Sequence, residues 1–167
     1  LPFTKKALTA TKKTNKYSAR LSCFMLILNL CGINRTQKIN ELNYFIMNRI
    51  KIKVLSNFLP ERSAPLKSLF FFSYTVNIHN KSTKTVQLLS RYWRIVDGNG
   101  NCEEIYGPGV VGKTPVLKPL ESFKYSSFCA LVTPIGFMEG HYRMNYERKE
   151  VDVPIKTFQL TANEYLN

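Results

Sequence analysis

A chain of 167 residues, 44% hydrophobic and 21% charged, has room for one domain plus an appendage and is not the composition of a disordered protein. Its formal net charge of +13 raises three partner classes: nucleic acid, an anionic membrane surface or an acidic protein. In residues 47–167, however, sixteen basic residues interleave with ten acidic ones, as in Glu147-Arg148-Lys149-Glu150, so a nucleic-acid role rests on charge alone and is disfavoured.

Residues 1–46 hold eight Lys/Arg and one acid, Glu41. The stretch TKKALTATKKTNKYSAR (4–20) leads into an apolar run, LSCFMLILNLCGI (21–33). Thirteen residues are short for a membrane span but suit a signal-peptide core, although no small-x-small cleavage site follows. The expectation is a basic leader or upstream extension over 1–46, outside the fold, with Met47 as native start and a cytoplasmic protein. A targeting segment, giving an organellar or secreted protein, is the alternative.

From Arg49 the period becomes two. RIKIKVLS (49–56) sets Ile50, Ile52 and Val54 against Arg49, Lys51 and Lys53, a half-buried strand. FLPERSAP (58–65) is a loop. SLFFFSYTVNIHN (68–80) puts Phe72, Tyr74, Val76 and Ile78 on one face and Ser73, Thr75, Asn77 and His79 on the other. After a polar turn, VQLLSRYWRIVD (86–97) is a strand closed by the hairpin signal DGNGN (97–101), with CEEIYG as the return.

A Gly/Pro-rich loop occupies 107–119. SFKYSSF (122–128), HYRMNYE (141–147) and VDVPIKTFQL (151–160) complete the set, and Pro154 marks an edge strand or a bulge. About seven short strands without an amphipathic helix in 47–167 predict an all-β fold, a two-sheet antiparallel sandwich with Trp93 in its core. No span in 47–167 is long enough to cross a bilayer.

Several blocks resemble the ApaG family: FSYTVNIHN (72–80), VQLLSRYWRIVDGNG (86–100), EEIYGPGVVGKTPVLKP (103–119), FKYSS (123–127), TPIGFMEGHYRM (133–144) and DVPIKTFQL (152–160). The resemblance covers about residues 50–162. It implies a fibronectin-III-like sandwich of the immunoglobulin type and a link, by phenotype, to cobalt resistance and to magnesium/cobalt efflux. Related domains act as protein-interaction modules, which implies protein partners for this chain, and a second copy of it is one candidate. Where the family has Pro-Gly-Glu this chain has Pro119-Leu120-Glu121, so Leu120 falls at a turn position that favours positive φ. Phe128 stands where the family has Gly.

The string GPGVVGKT (107–114) fits two phosphate motifs. As a P-loop it lacks an apolar strand before it and a helix after it, since Pro115 and Pro119 follow. As G-x-G-x-x-G, which belongs to the family pattern, Gly107, Gly109, Gly112 and Lys113 are candidate ligands for a nucleotide or pyrophosphate, held in a nest of backbone amides with help from Lys118. The other reading is a turn whose glycines supply positive φ while Val110 and Val111 cap the sandwich.

The remaining chemistry is sparse. His79 reads as a polar strand residue and His141 as a turn residue beginning a strand, neither with a companion at metal-ligand spacing. Cys102 and Cys129 read as buried thiols. Glu103 and Glu104 point to opposite faces of a strand, a poor catalytic pair. No catalytic set, required cofactor or metal site emerges. The reading that results is a non-catalytic interaction module of the ApaG type; the alternative is a nucleotide- or pyrophosphate-binding protein, with weak phosphohydrolase activity, using the 107–112 loop.

Overall fold

The computed structural model describes residues 35–166. The apolar run 21–33 and its cysteines lie outside the described residues. A helix, α1 (Arg35–Arg49), crosses the expected boundary at Met47, and its Ile46 is buried. The compact unit Leu42–Asn167 includes the last turns of this helix.

Eight strands build it: β1 (Ile50–Phe58), β2 (Phe70–Asn80), β3 (Val86–Asp97), β4 (Cys102–Pro108), β5 (Val116–Leu117), β6 (Ser122–Leu131), β7 (Ile135–Tyr146) and β8 (Lys149–Thr161). All pairings are antiparallel. One sheet has the order β1-β2-β6; the other runs β4-β3-β7-β8, with β5 pairing the start of β3. This is the expected all-β sandwich. The two-residue β5 lies within the stretch read as a loop, too short to show a period. Strand β7 begins six residues before the expected start, because IGFMEG breaks alternation with two glycines.

Alternation sorts the side chains as the period requires. Phe72, Val76 and Ile78 from β2 meet Leu88, Trp93 and Ile95 from β3 and Tyr142 and Met144 from β7, all buried. Trp93 lies 5.6 Å from the Tyr74 ring, 5.9 Å from Phe158 and 6.1 Å from Tyr142, each near edge-on, so one indole joins the two sheets. The Tyr125 and Tyr142 hydroxyls hydrogen-bond across the interior, and burial drives both phenol pKa values upward.

Two polar devices set the turns. Asp97 accepts from the amides of Asn99 and Asn101 (both 2.9 Å) and from Asn101 Nδ2 (2.8 Å), closing the β3–β4 hairpin. Asn80, fully buried, donates through Nδ2 to the carbonyls of Lys84, Leu117 and Lys118 and accepts from Ser82. It therefore ties the 80–85 turn to the far end of the 107–119 loop.

Candidate functional site

The loop after β4 is built around an arginine the sequence reading did not single out. Arg91 pairs with Gly107 in the β3–β4 register, and its Nη1 donates to the carbonyls of Pro108 (3.0 Å) and Gly109 (2.9 Å). A Cβ at Gly107 would lie 3.0 Å from that guanidinium. At Gly109, φ is +54° and a Cβ would meet the Lys113 carbonyl at 2.1 Å. Val110 and Lys113 exchange backbone hydrogen bonds of 2.8 and 2.9 Å, with positive φ at Val111 and Gly112 between them, as in a type I′ turn.

Thus the amides of Gly109, Val110 and Lys113 already donate to backbone carbonyls, whereas those of Val111 and Gly112 meet no backbone acceptor among the described residues. Val110 is fully buried and caps the sandwich, as expected. Val111 points to solvent instead, since the left-handed turn carries it away from the core.

Leaving this loop along β4, the next outward side chain is Tyr106. Cross-strand register then places Tyr106, Tyr92, His141 and Pro154 in one row over four strands. Ring centroids are 4.7 Å apart for Tyr106–Tyr92 and 5.0 Å for Tyr92–His141, with tilts of 35° and 36°. His141 is therefore mid-strand, not the turn residue expected, because β7 starts earlier than its alternation shows.

The neighbouring row is ionic: Arg94 donates to Glu139 (3.1 Å), which also accepts from Thr157 (2.7 Å), while Glu104 accepts from the hydroxyls of Tyr92 (3.0 Å) and Tyr106 (3.4 Å). On the other side Arg143 grips Asp152 through two bonds of 2.9 and 3.0 Å. Local burial and the bond to Glu104 push the Tyr92 phenol up to about 12. Thr157 and then Arg94 hold the Glu139 carboxyl below its ordinary value, and Arg143 does the same for Asp152. The row is a stack of aromatics, Tyr106 exposed and Tyr92 and His141 half-buried, between ion pairs that already satisfy one another.

The other residues considered stay apart. His79 Nδ1 lies 2.8 Å from Ser122 Oγ on the opposite sheet. Cys129 is buried, and desolvation raises its thiol to about 11, but Cys102 is exposed, because its end of β4 faces solvent. Glu103 and Glu104 occupy successive positions on β4 and so face opposite sides. Among the described residues no three His, Cys, Asp or Glu side chains converge on a common point. No described helix is long and apolar enough to cross a membrane.

The ApaG domain model matches residues 60–146. Protein ApaG of Methylocella silvestris is 54% identical over 114 residues, which cover 68% of this chain and 88% of that protein. This chain belongs to the ApaG family. Protein ApaG of Beijerinckia indica is 52% identical over 118 residues, 70% of this chain and 91% of its own length. Among solved structures, the putative ApaA protein from Bordetella pertussis superposes with a TM-score of 0.67 at 40% identity, covering 68% of this chain and 94% of that one. Within this ApaG fold, both the glycine loop and the aromatic row lie on or beside the five-stranded sheet.

Proposed function

We propose that this ApaG protein is a non-catalytic interaction module that supports cobalt and magnesium homeostasis by binding other proteins. The observation that carries the reading is the outer-face row Tyr106–Tyr92–His141, with Tyr106 exposed and the other two half-buried, flanked by self-satisfied ion pairs and continuous with the 107–119 loop. Tyrosine rings present large, stiff contact area at low entropic cost, the usual character of interface anchors. The link to cations comes from family resemblance alone.

The test is affinity capture with the whole chain and with a Tyr92→Ala/Tyr106→Ala variant, since both side chains lie on the outer face of the sheet and outside the buried core. A specific partner captured by the wild type is lost with the variant. An unchanged set of partners removes this face from consideration.

The amides of Val111 and Gly112 beside exposed Lys113 favour a second reading, a pyrophosphate or nucleotide site. Calorimetric titration with ATP and pyrophosphate tests it. Saturable binding that survives physiological salt and is lost in Lys113→Ala supports the site; heat that vanishes with salt reflects the basic surface. Gly109→Ala is unsuitable as the probe, because the added Cβ collides with the Lys113 carbonyl whatever the loop binds.

A further inference from the structure

Strand β6 is an edge of the three-stranded sheet, and its pairing with β2 fixes which of its backbone groups are unmet. Asn80 N donates to Glu121 O (2.9 Å) and Asn80 O accepts from Leu120 N (2.7 Å), so the even-numbered residues of β2 bond toward β6. Antiparallel pairs alternate between bonded and non-bonded. With Asn77 opposite Lys124 and Thr75 opposite Ser126, it follows that Ser122, Lys124, Ser126, Phe128 and Ala130 turn their N–H and C=O groups away from β2. All five are exposed, and among the described residues no strand pairs with that side.

Sheet edges are normally blunted by proline, charge or brevity. Here β4 ends in Pro108, β8 carries Pro154 and β1 carries Lys51 and Lys53. Over its ten residues β6 has no proline and one lysine.

The same sheet is free of acid. β1, β2 and β6 contain no Asp or Glu, and their three lysines, Lys51, Lys53 and Lys124, all lie on the outer face among Thr75, Asn77, His79 and Ser126. Lys53, Asn77 and Lys124 form one cross-strand row. Among the described residues none of these lysines reaches a carboxylate.

We propose that the open edge of β6 accepts an extended acidic polypeptide segment as a fourth strand, with a carboxylate opposite Lys124. Strand addition supplies the alternating donors and acceptors that the edge lacks, and opposite charges directly across a pair stabilise it. A phosphodiester backbone offers no donor to the edge carbonyls. A second copy would bring two acid-free lysine faces together in a chain of net charge +13. This surface lies on the sheet opposite the aromatic row, so the inference stands apart from the reading above.

The experiment titrates the full chain with a labelled nine-residue peptide alternating glutamate and valine, and follows amide exchange. We expect saturable binding at physiological salt, with exchange at Lys124, Ser126 and Phe128 slowed by about tenfold or more. Lys124→Glu weakens binding about fivefold. Ser126→Pro abolishes it while leaving the β2 ladder intact, because that N–H points outward; if this variant unfolds, the exchange pattern decides alone.

Binding without protection of those amides overturns the proposal. So does preference for an oligothymidine of equal charge, or protection of the same amides by self-association without peptide.

Discussion

On the three-stranded sheet the outward side chains include Lys51, Lys53, Lys124, His79, a field of Ser, Thr and Asn, and exposed Leu55 and Phe128; on the five-stranded sheet they include Tyr106, Tyr92 and His141, stacked between Arg94–Glu139 and Arg143–Asp152 pairs. The first face is basic and has no internal counter-charge. The second neutralises its own ions and leaves aromatic area to solvent. Two sheets of one sandwich thus present different surface chemistry, lysines without acids beside an open strand edge on one, stacked aromatics among ion pairs on the other. Overall charge conceals this division, because interleaving along the chain becomes segregation once β1, β2 and β6 are gathered into one sheet.

If the faces differ while sharing one core, the largest effect belongs to the residue that joins them. Trp93→Ala should cost about 3–5 kcal/mol and abolish both surfaces in a single thermal transition. Separate melting of the two sheets would break the comparison. A gain of about 1 kcal/mol is expected from Leu120→Gly in urea unfolding, since Leu120 holds φ +67° after Pro119 in a turn that favours glycine there. That turn leads into β6, so neither face should change its binding.

The smallest effect concerns acid. Glu139 and Asp152 have folded pKa values below their ordinary ones, so the stability they confer is complete above the ordinary carboxylate range and fades as pH falls through the depressed values. Urea midpoints measured from roughly pH 5 to 2 should therefore flatten in a Glu139→Gln/Asp152→Asn variant. Lys53→Gln, on the face with no carboxylates, should leave the slope unchanged.

Most of the sandwich was legible because period-two alternation survives in β1, β2, β3 and β8, and Trp93 stands where two such faces must meet. The DGNGN hairpin was legible from turn chemistry, and the positive φ of Leu120 from the glycine that the ApaG family carries there. The aromatic row was not. Its members come from positions 92, 106, 141 and 154, and only register aligns them. Arg91 was likewise invisible, since nothing local shows that its guanidinium reaches two loop carbonyls or that Gly107 makes room for it. Helix α1 lies mostly within a segment read as a basic leader or upstream extension, and its sequence, RTQKINELNYFIMNR, carries no strong apolar stripe to announce it.

Under the function proposed above, the aromatic face of the five-stranded sheet carries a contribution to cation homeostasis. The most direct measurement is growth on cobalt of a strain lacking this chain, complemented with the wild type or with Tyr92→Ala/Tyr106→Ala of confirmed thermal stability. The account predicts that the wild type restores tolerance and the folded variant does not. Full restoration by the variant would contradict it.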